Sequence, residues 1–247
     1  MKVKLIDATL NALDLLVYTK SGRLEEGTEF EDVINMPTEE KNEHLSYMMD
    51  TIKGAFEFVH YTFDISEVSR AFTHQLVRTR TASFQQQSQR TVKLEKPSYT
   101  MTSDHELFED AALHSFDCYQ EMLEDGIPAQ DARGILPTNV HTKILVSVNL
   151  RTLSDMASMR LCTRTQGEYQ DVFKAMVKQV LSVHPWAEPL LKPHCVKLGV
   201  CAFPRYKECP VQKYTLKLTE KQQCALEEAW EATDHVAVPV VKNGVTM

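Results

Sequence analysis

Two hydrophobic periods alternate along the chain, and the switches between them mark its elements. Lys2–Ile6 reads as a short edge strand, followed by a helix over Ala8–Thr19 that ends near Ser21-Gly22. Residues 24–45 are acidic and polar, and Pro37 followed by Thr38-Glu39-Glu40 is a helix start. A helix over about Glu43–Gly54 leads into Phe56–Phe63, a run of aromatic and β-branched residues that predicts a strand. Helical spacing returns over Glu67–Thr79, with Val68, Ala71, Phe72, Leu76 and Val77 apolar, and the Gln-rich Ser83–Gln89 predicts a loop. Residues 102–125 form an amphipathic helix whose inner face carries Leu107, Ala111, Ala112, Phe116 and Met122. Lys143–Val148 is a strand, and Leu150–Cys162 and Glu168–His184 are helices. The second of these carries Val172, Phe173, Met176, Val177, Val180 and Leu181, and Pro185 ends it. This mixture predicts one α+β domain over residues 1–247, weakly defined from about residue 190 onward.

With 43% hydrophobic and 25% charged residues, the 247-residue chain has the composition of an ordinary globular protein rather than a disordered or fibrous one. No apolar run approaches the ~18 residues that span a bilayer. The start, Met1-Lys2-Val3-Lys4-Leu5-Ile6-Asp7, is too short and too soon acidic for a signal peptide, so a cytoplasmic location is expected. Six cysteines (Cys118, Cys162, Cys195, Cys201, Cys209 and Cys224) are therefore expected as reduced thiols. Cys195, Cys201 and Cys209, with His194 adjacent, are spaced more widely than zinc-knuckle ligands, and no metal is expected.

A net charge of −7 argues against a protein that coats nucleic acid. The arginines are distributed unevenly on this acidic chain. Between Arg70 and Leu94 stand Arg70, Arg78, Arg80, Arg90 and Lys93, with no Asp or Glu. Cations without sequence-local partners suit a compact anion site for a small phosphorylated ligand, although a basic face paired with distant carboxylates has the same pattern.

Within this window lies Gln75-Leu76-Val77-Arg78-Thr79-Arg80, seven residues, then Ser88-Gln89-Arg90. The pattern resembles the signature of flavin-dependent thymidylate synthases, Arg-His-Arg followed after seven residues by Ser. Val68-Ser69-Arg70 and His74-Gln75 are similar to the family's preceding run. Ala132-Arg133-Gly134-Ile135-Leu136-Pro137, Asn149-Leu150-Arg151-Thr152-Leu153, Arg160 and Gln166-Gly167-Glu168 follow in the family's order. With Phe56-Glu57 and Thr62-Phe63 upstream, the resemblance spans roughly residues 50–185, and the cysteine-bearing tail is similar to that of some members.

The resemblance implies a central antiparallel sheet flanked by helices and reductive methylation of dUMP to dTMP. It further implies FAD as cofactor, methylenetetrahydrofolate as carbon donor, NADPH as reductant, and a homotetramer without nucleic-acid or membrane partners. Arg160 matches the arginine that stabilises charge on the base. The nucleotide-binding residues it implies are Gln75, Arg78, Gln86, Gln87, Ser88, Gln89, Arg90, Arg133 and Arg160. Those toward flavin are Gly54, Arg78, Thr79, Arg80, Gln86, Asn149, Arg151 and Asp155.

Blander roles exist beside these. Arg151 and Asp155 are four apart on one predicted helix, the spacing of a structural ion pair. Arg160 can snorkel from Met156 and Met159, His74 reads as structural, and Glu57 alternates outward on the predicted strand. The chain also departs from the family pattern. Thr79 replaces the middle histidine of the signature, Ile52 and Phe58 stand where histidines are frequent, and Gly167 replaces a common tryptophan. Asp155 stands where asparagine is frequent near the flavin, and Gln86 where glutamate or glutamine is. These changes fall on the flavin and folate side, and a related C5 modification of another pyrimidine nucleotide (dCMP, or hydroxymethylation) or a non-catalytic nucleotide-binding homologue remain the alternatives.

Overall fold

The computed structural model of the chain describes residues 1–24, 27–51, 53–203 and Cys209. Four strands, β1 (Lys2–Ala8), β2 (His60–Ser69), β3 (Ala82–Gln86) and β4 (His141–Asn149), form one antiparallel sheet in the order β1-β2-β4-β3. Alternation buries one face: Tyr61, Phe63 and Ile65 of β2 and Ile144, Val146 and Val148 of β4 are almost wholly inaccessible. The register pairs Phe63 with Val146 and Ile65 with Ile144, so the apolar rows of the two central strands lie side by side.

Helices α1 (Ala12–Leu24), α3 (Thr38–Thr51), α7 (Leu150–Arg160) and α8 (Gly167–Val183) close the buried face. Helix α8 does so through Tyr169, Val172, Phe173, Met176, Val177 and Val180, which recur at helical spacing. The remaining helices are α2 (Phe30–Asn35), α4 (Arg70–Leu76), α5 (Glu106–Glu124), α6 (Ala129–Ala132) and α9 (His194–Leu198). Phe116, Tyr119 and Ala132 form a separate small core that seats α6 against α5. Lys197 fastens α9 to α7 by donating to the Ser154 carbonyl and to the Ser154 and Ser158 hydroxyls at 2.8–3.0 Å. Burial lowers its pKa to about 8.

Several expected boundaries move, each for an identifiable reason. Strand β1 continues through Ala8, paired with Tyr61, so α1 starts at Ala12 rather than Ala8. The expected strand from Phe56 begins at His60, because Lys53–Phe58 makes a 3-10 turn. The helix expected from Glu67 begins at Arg70, because Val68 and Ser69 pair with Thr142 and His141. Between Ser66 and Val68, Glu67 adopts φ 56° at a bulge, and its carboxylate takes Lys2 and the N-terminal amine. Ser83–Gln86 is strand rather than loop, since the free edge of β4 supplies partners that a glutamine run does not advertise. On α5, Leu107 and Ala111 face solvent while Ala112, Phe116 and Tyr119 are buried. Helix α2 was not expected in its polar stretch; the buried Val33 and an edge-on contact of Phe30 with Tyr18 at 5.4 Å hold it.

Tyr61 lies fully inside, and its hydroxyl shares a hydrogen bond of 3.0 Å with His184 Nδ1. Burial lowers the His184 pKa below its ordinary 6.5. The unfolded chain then binds the proton at higher pH than the folded one, so this contribution to stability is complete above 6.5 and is lost as pH falls through the depressed folded value. Melting curves are expected to show Tm falling as pH drops below 6.5, with a shallower slope in His184→Phe. Some slope remains because burial also depresses His141. An unchanged slope in the variant would contradict the assignment.

Candidate active site

The carboxylate of Glu168, at the start of α8, accepts from the Ser69 backbone N–H at 2.7 Å, from the Ser69 hydroxyl and from Thr100 Oγ1 at 2.9 Å. Ser69 in turn caps α4 by accepting from Phe72 N at 2.9 Å. Helix α4 therefore leaves the sheet at a fixed angle and delivers the chain into the turn that carries Arg78, Thr79 and Arg80. Thr79 N–H donates to Leu76 O and Ala82 N–H to Thr79 O, closing that turn ahead of β3. Arg78 and Arg80 are exposed and Thr79 is half-buried.

The turn rests on the first turn of α7. Thr152 Oγ1 donates to Thr81 Oγ1 at 3.0 Å, and Asn149 caps the helix by accepting from Thr152 N at 2.8 Å. Thr81, next to Arg80, thus meets the helix start that carries Asn149 and Arg151. Arg151 pairs with Glu57, on the 3-10 turn that also carries the exposed Gly54, so the expected Arg151–Asp155 pair is not formed. Glu57 is accordingly a turn residue rather than a strand residue. Asp155 is exposed, and its charge acts on Lys197. Ile52 lies outside the described residues.

A second group gathers around α6. Arg90 Nε donates to Gln130 Oε1 at 3.1 Å, and Arg133 Nε donates to the Gln130 carbonyl at the same distance. Ser88 Oγ accepts from Arg90 N at 3.2 Å. Arg70 opens α4, which docks by Arg70 N to Val140 O and Ala71 N to Thr138 O. Its pKa is lowered by burial and then by the like charge of Arg133. Among the described residues, none of Arg70, Arg90 and Arg133 forms an ion pair. The arrangement is a concentration of forked donors held by amides, which suits a phosphate.

Other expected site residues are occupied within the fold. Gln86 Nε2 donates to Thr73 Oγ1 at 3.0 Å and, less closely, to Thr142 Oγ1, which ties β3 to α4. Gln75 Nε2 donates to Gln166 Oε1 at 2.7 Å. Gln87 extends the sheet edge through its N–H to Lys143 O, and Gln89 is buried with Nε2 unpartnered. Arg160 ends α7 with its guanidinium 4.4 Å from the Tyr169 ring centroid. Tyr169, Gln130 and Arg70 lie in the site without having been expected there. The run without acids contained the signal for Arg70, and nothing in the sequence set Gln130 apart.

Burial raises the Cys195 thiol pKa, and the nearby thiols of Cys201, Cys162 and Cys209 add to the effect. Among the described residues no group of three or more His, Cys, Asp or Glu is arranged to hold a metal ion, and no helix is long and apolar enough to cross a membrane. Cys224 lies outside the described residues.

The sheet order and its helices place the chain among α+β proteins of the flavin-dependent thymidylate synthase fold. A crystal structure of the flavin-dependent thymidylate synthase from Helicobacter pylori, complexed with FAD and dUMP, matches with a TM-score of 0.64 and 19% identity. The match covers 76% of this chain and 97% of that one. The thymidylate synthase complementing protein family matches residues 4–186. A flavin-dependent thymidylate synthase of Pyrococcus horikoshii is 34% identical over 222 residues, covering 81% of this chain and 89% of that protein. One from Saccharolobus solfataricus is 40% identical over 144 residues, covering 55% of each chain, so that alignment reaches little more than half of its length. The chain belongs to the flavin-dependent thymidylate synthase family.

Gln130 joins two arginines that lack acidic partners, so its loss should loosen both. Gln130→Ala is expected to weaken inorganic phosphate binding by roughly 2–10-fold, the range of one ordinary hydrogen bond. Gln130→Glu, which introduces a neutralising carboxylate, should weaken it further. Calorimetric titration showing unchanged affinity in both variants would contradict this role.

Proposed function

We propose that this chain catalyses reductive methylation of dUMP to dTMP in the cytoplasm, with methylenetetrahydrofolate as carbon donor and NADPH as reductant. The observation that carries the reading is the set of arginines without ion pairs, Arg70, Arg90 and Arg133, beside Ser88 in a chain of this family. A nucleotide phosphate supplies the missing negative charge, and the forked guanidinium groups fix its orientation. Gln75, Gln87 and Gln89 lie on the same segments and contribute amide contacts to the nucleotide.

Arg160 takes the base. Activating uracil so that C5 becomes a nucleophile places negative charge on the ring's N3, O2 and O4 system. A guanidinium already oriented toward that charge stabilises it without reorganisation, an effect of ~3–4 kcal/mol for one strong donor in a dry site. The donor set around the start of α7 fits a flavin: Arg78 and Arg80 are exposed cations that form no ion pair among the described residues, with Thr79, Asn149 and Arg151 in the same region and Gly54 and Asp155 further along. FAD bound there, once reduced by NADPH, would supply hydride, and no protein nucleophile would then be needed. Gln86 acts through the strand it anchors. Thr79 in the place of the signature histidine offers no ring contact, so FAD is held less firmly than with histidine there, and nucleotide binding is retained.

The same reading assigns a homotetramer. Val77 and Phe58 expose large apolar surface, 40% and 58%, beside the two turns that carry the flavin-side residues. Light scattering should report four chains, and a monomer that binds FAD tightly would overturn the assignment.

The activity is tested by incubating the protein with FAD, NADPH and methylenetetrahydrofolate plus dUMP or dCMP, then weighing the product. A gain of one methyl group on dUMP is expected. Hydroxymethylation or modification of dCMP would redirect the reading, and no product with either nucleotide would overturn it. Arg90→Ala should weaken dUMP binding by roughly 10–150-fold, as for the loss of a charge-assisted hydrogen bond to phosphate, and unchanged affinity would remove the phosphate assignment.

A further inference from the structure

Arg160 stands in an unusual electrostatic setting. It is half-buried at the end of α7, and among the described residues it has no carboxylate partner. Its guanidinium lies over the ring of Tyr169, with Cζ 4.4 Å from the centroid, within the range of a cation–π contact. Tyr169 lies in the first turn of α8 and is wholly inaccessible. Its ring is fixed edge-on by Phe72 of α4, with centroids 5.0 Å apart and planes at 88°. Phe72 is itself inaccessible, so the platform has no freedom to turn.

The far end of Tyr169 is equally constrained. Its hydroxyl oxygen is buried without a hydrogen-bond partner, and burial raises its pKa. Arg160, chiefly through its charge, and Thr79 are the polar neighbours that pull the pKa back. One side chain from α8 therefore touches the guanidinium at the end of α7 and the turn between α4 and β3.

We infer that Tyr169 is a positioning residue for Arg160: its ring holds the guanidinium by the face and leaves the N–H edge free for an anionic ligand. A carboxylate in the same place would occupy those donors and neutralise the charge. The ring does neither, because its attraction acts on the flat face of the cation. The phenol adds contact with the Thr79 turn, so the arginine and that turn share one support. This rests on Arg160 acting on the nucleotide base, as assigned above.

Three variants test it. Tyr169→Phe keeps the ring and should lower kcat less than about threefold. Tyr169→Leu removes the ring and should lower kcat by more than about tenfold while the dUMP affinity, set at the phosphate, changes less than about threefold. In an Arg160→Lys background, Tyr169→Leu should have a much smaller effect, since its target is gone. A readout independent of activity is the Arg160 Nε–H resonance in arginine-labelled protein, identified by its loss in Arg160→Lys. The ring should displace it from the ordinary arginine position in wild type and Tyr169→Phe, and the displacement should vanish in Tyr169→Leu. A resonance indifferent to Tyr169→Leu in folded protein would overturn the inference. So would a kcat loss that is undiminished in the lysine background. If the resonance behaves as expected while wild type forms no methylated product, the positioning stands and the proposed reaction falls.

Discussion

Arg70 and Arg133 repel one another, and among the described residues neither is paired with an acid. Partly buried like charges oppose folding, and a chain of net charge −7 has acids to spare. The acids are used elsewhere: Glu57 on Arg151, Asp64 on Lys143, Asp14 on Lys41, Glu67 on Lys2. What holds the cluster in shape is neutral, the carbonyl and amide of Gln130 and the hydroxyl of Ser88. Neutral supports leave the positive potential intact for an incoming anion. The site follows from that arrangement of charge.

The sheet serves it by fixing distances between segments remote in sequence. Pairing of β2 with β4 brings Ser69 beside His141, and the backbone bonds of Arg70 and Ala71 to Val140 and Thr138 hold α4 near the segment that begins at Arg133. Pairing of β3 with β4 sets Ala82 opposite Val148, and the Thr152–Thr81 bond completes the contact with α7. One strand, β4, thus registers both halves of the site. Glu168 locks the exit of β2 through Ser69, which makes this acid a structural member of the family block in which it falls.

The signature arginines, Ser88 and Arg133 were legible because their spacing carries chemistry, and the major helices because their apolar periods are long. Strand β3 was not, since Gln85 and Gln86 have no strong strand preference and the partner edge is some sixty residues away. The bulge at Glu67 was hidden for the same reason: the φ of 56° is imposed by pairing on both sides. The spacing of Arg151 and Asp155 pointed to a local pair, but the 3-10 turn brings Glu57 closer. Tyr169 stood outside the apolar row expected for α8, and only packing reveals that it faces Arg160 on one side and Phe72 on another.

The central claim, that guanidinium groups without acidic partners recognise a nucleotide phosphate, is tested most directly by comparing dUMP with deoxyuridine in the same calorimeter cell. The two ligands differ by the phosphate alone. The account predicts dUMP binding at least about a hundredfold tighter at low salt, as expected for several charge-assisted hydrogen bonds, with the gap narrowing as salt rises. Equal affinity for the two, or a preference unaffected by salt, would contradict it.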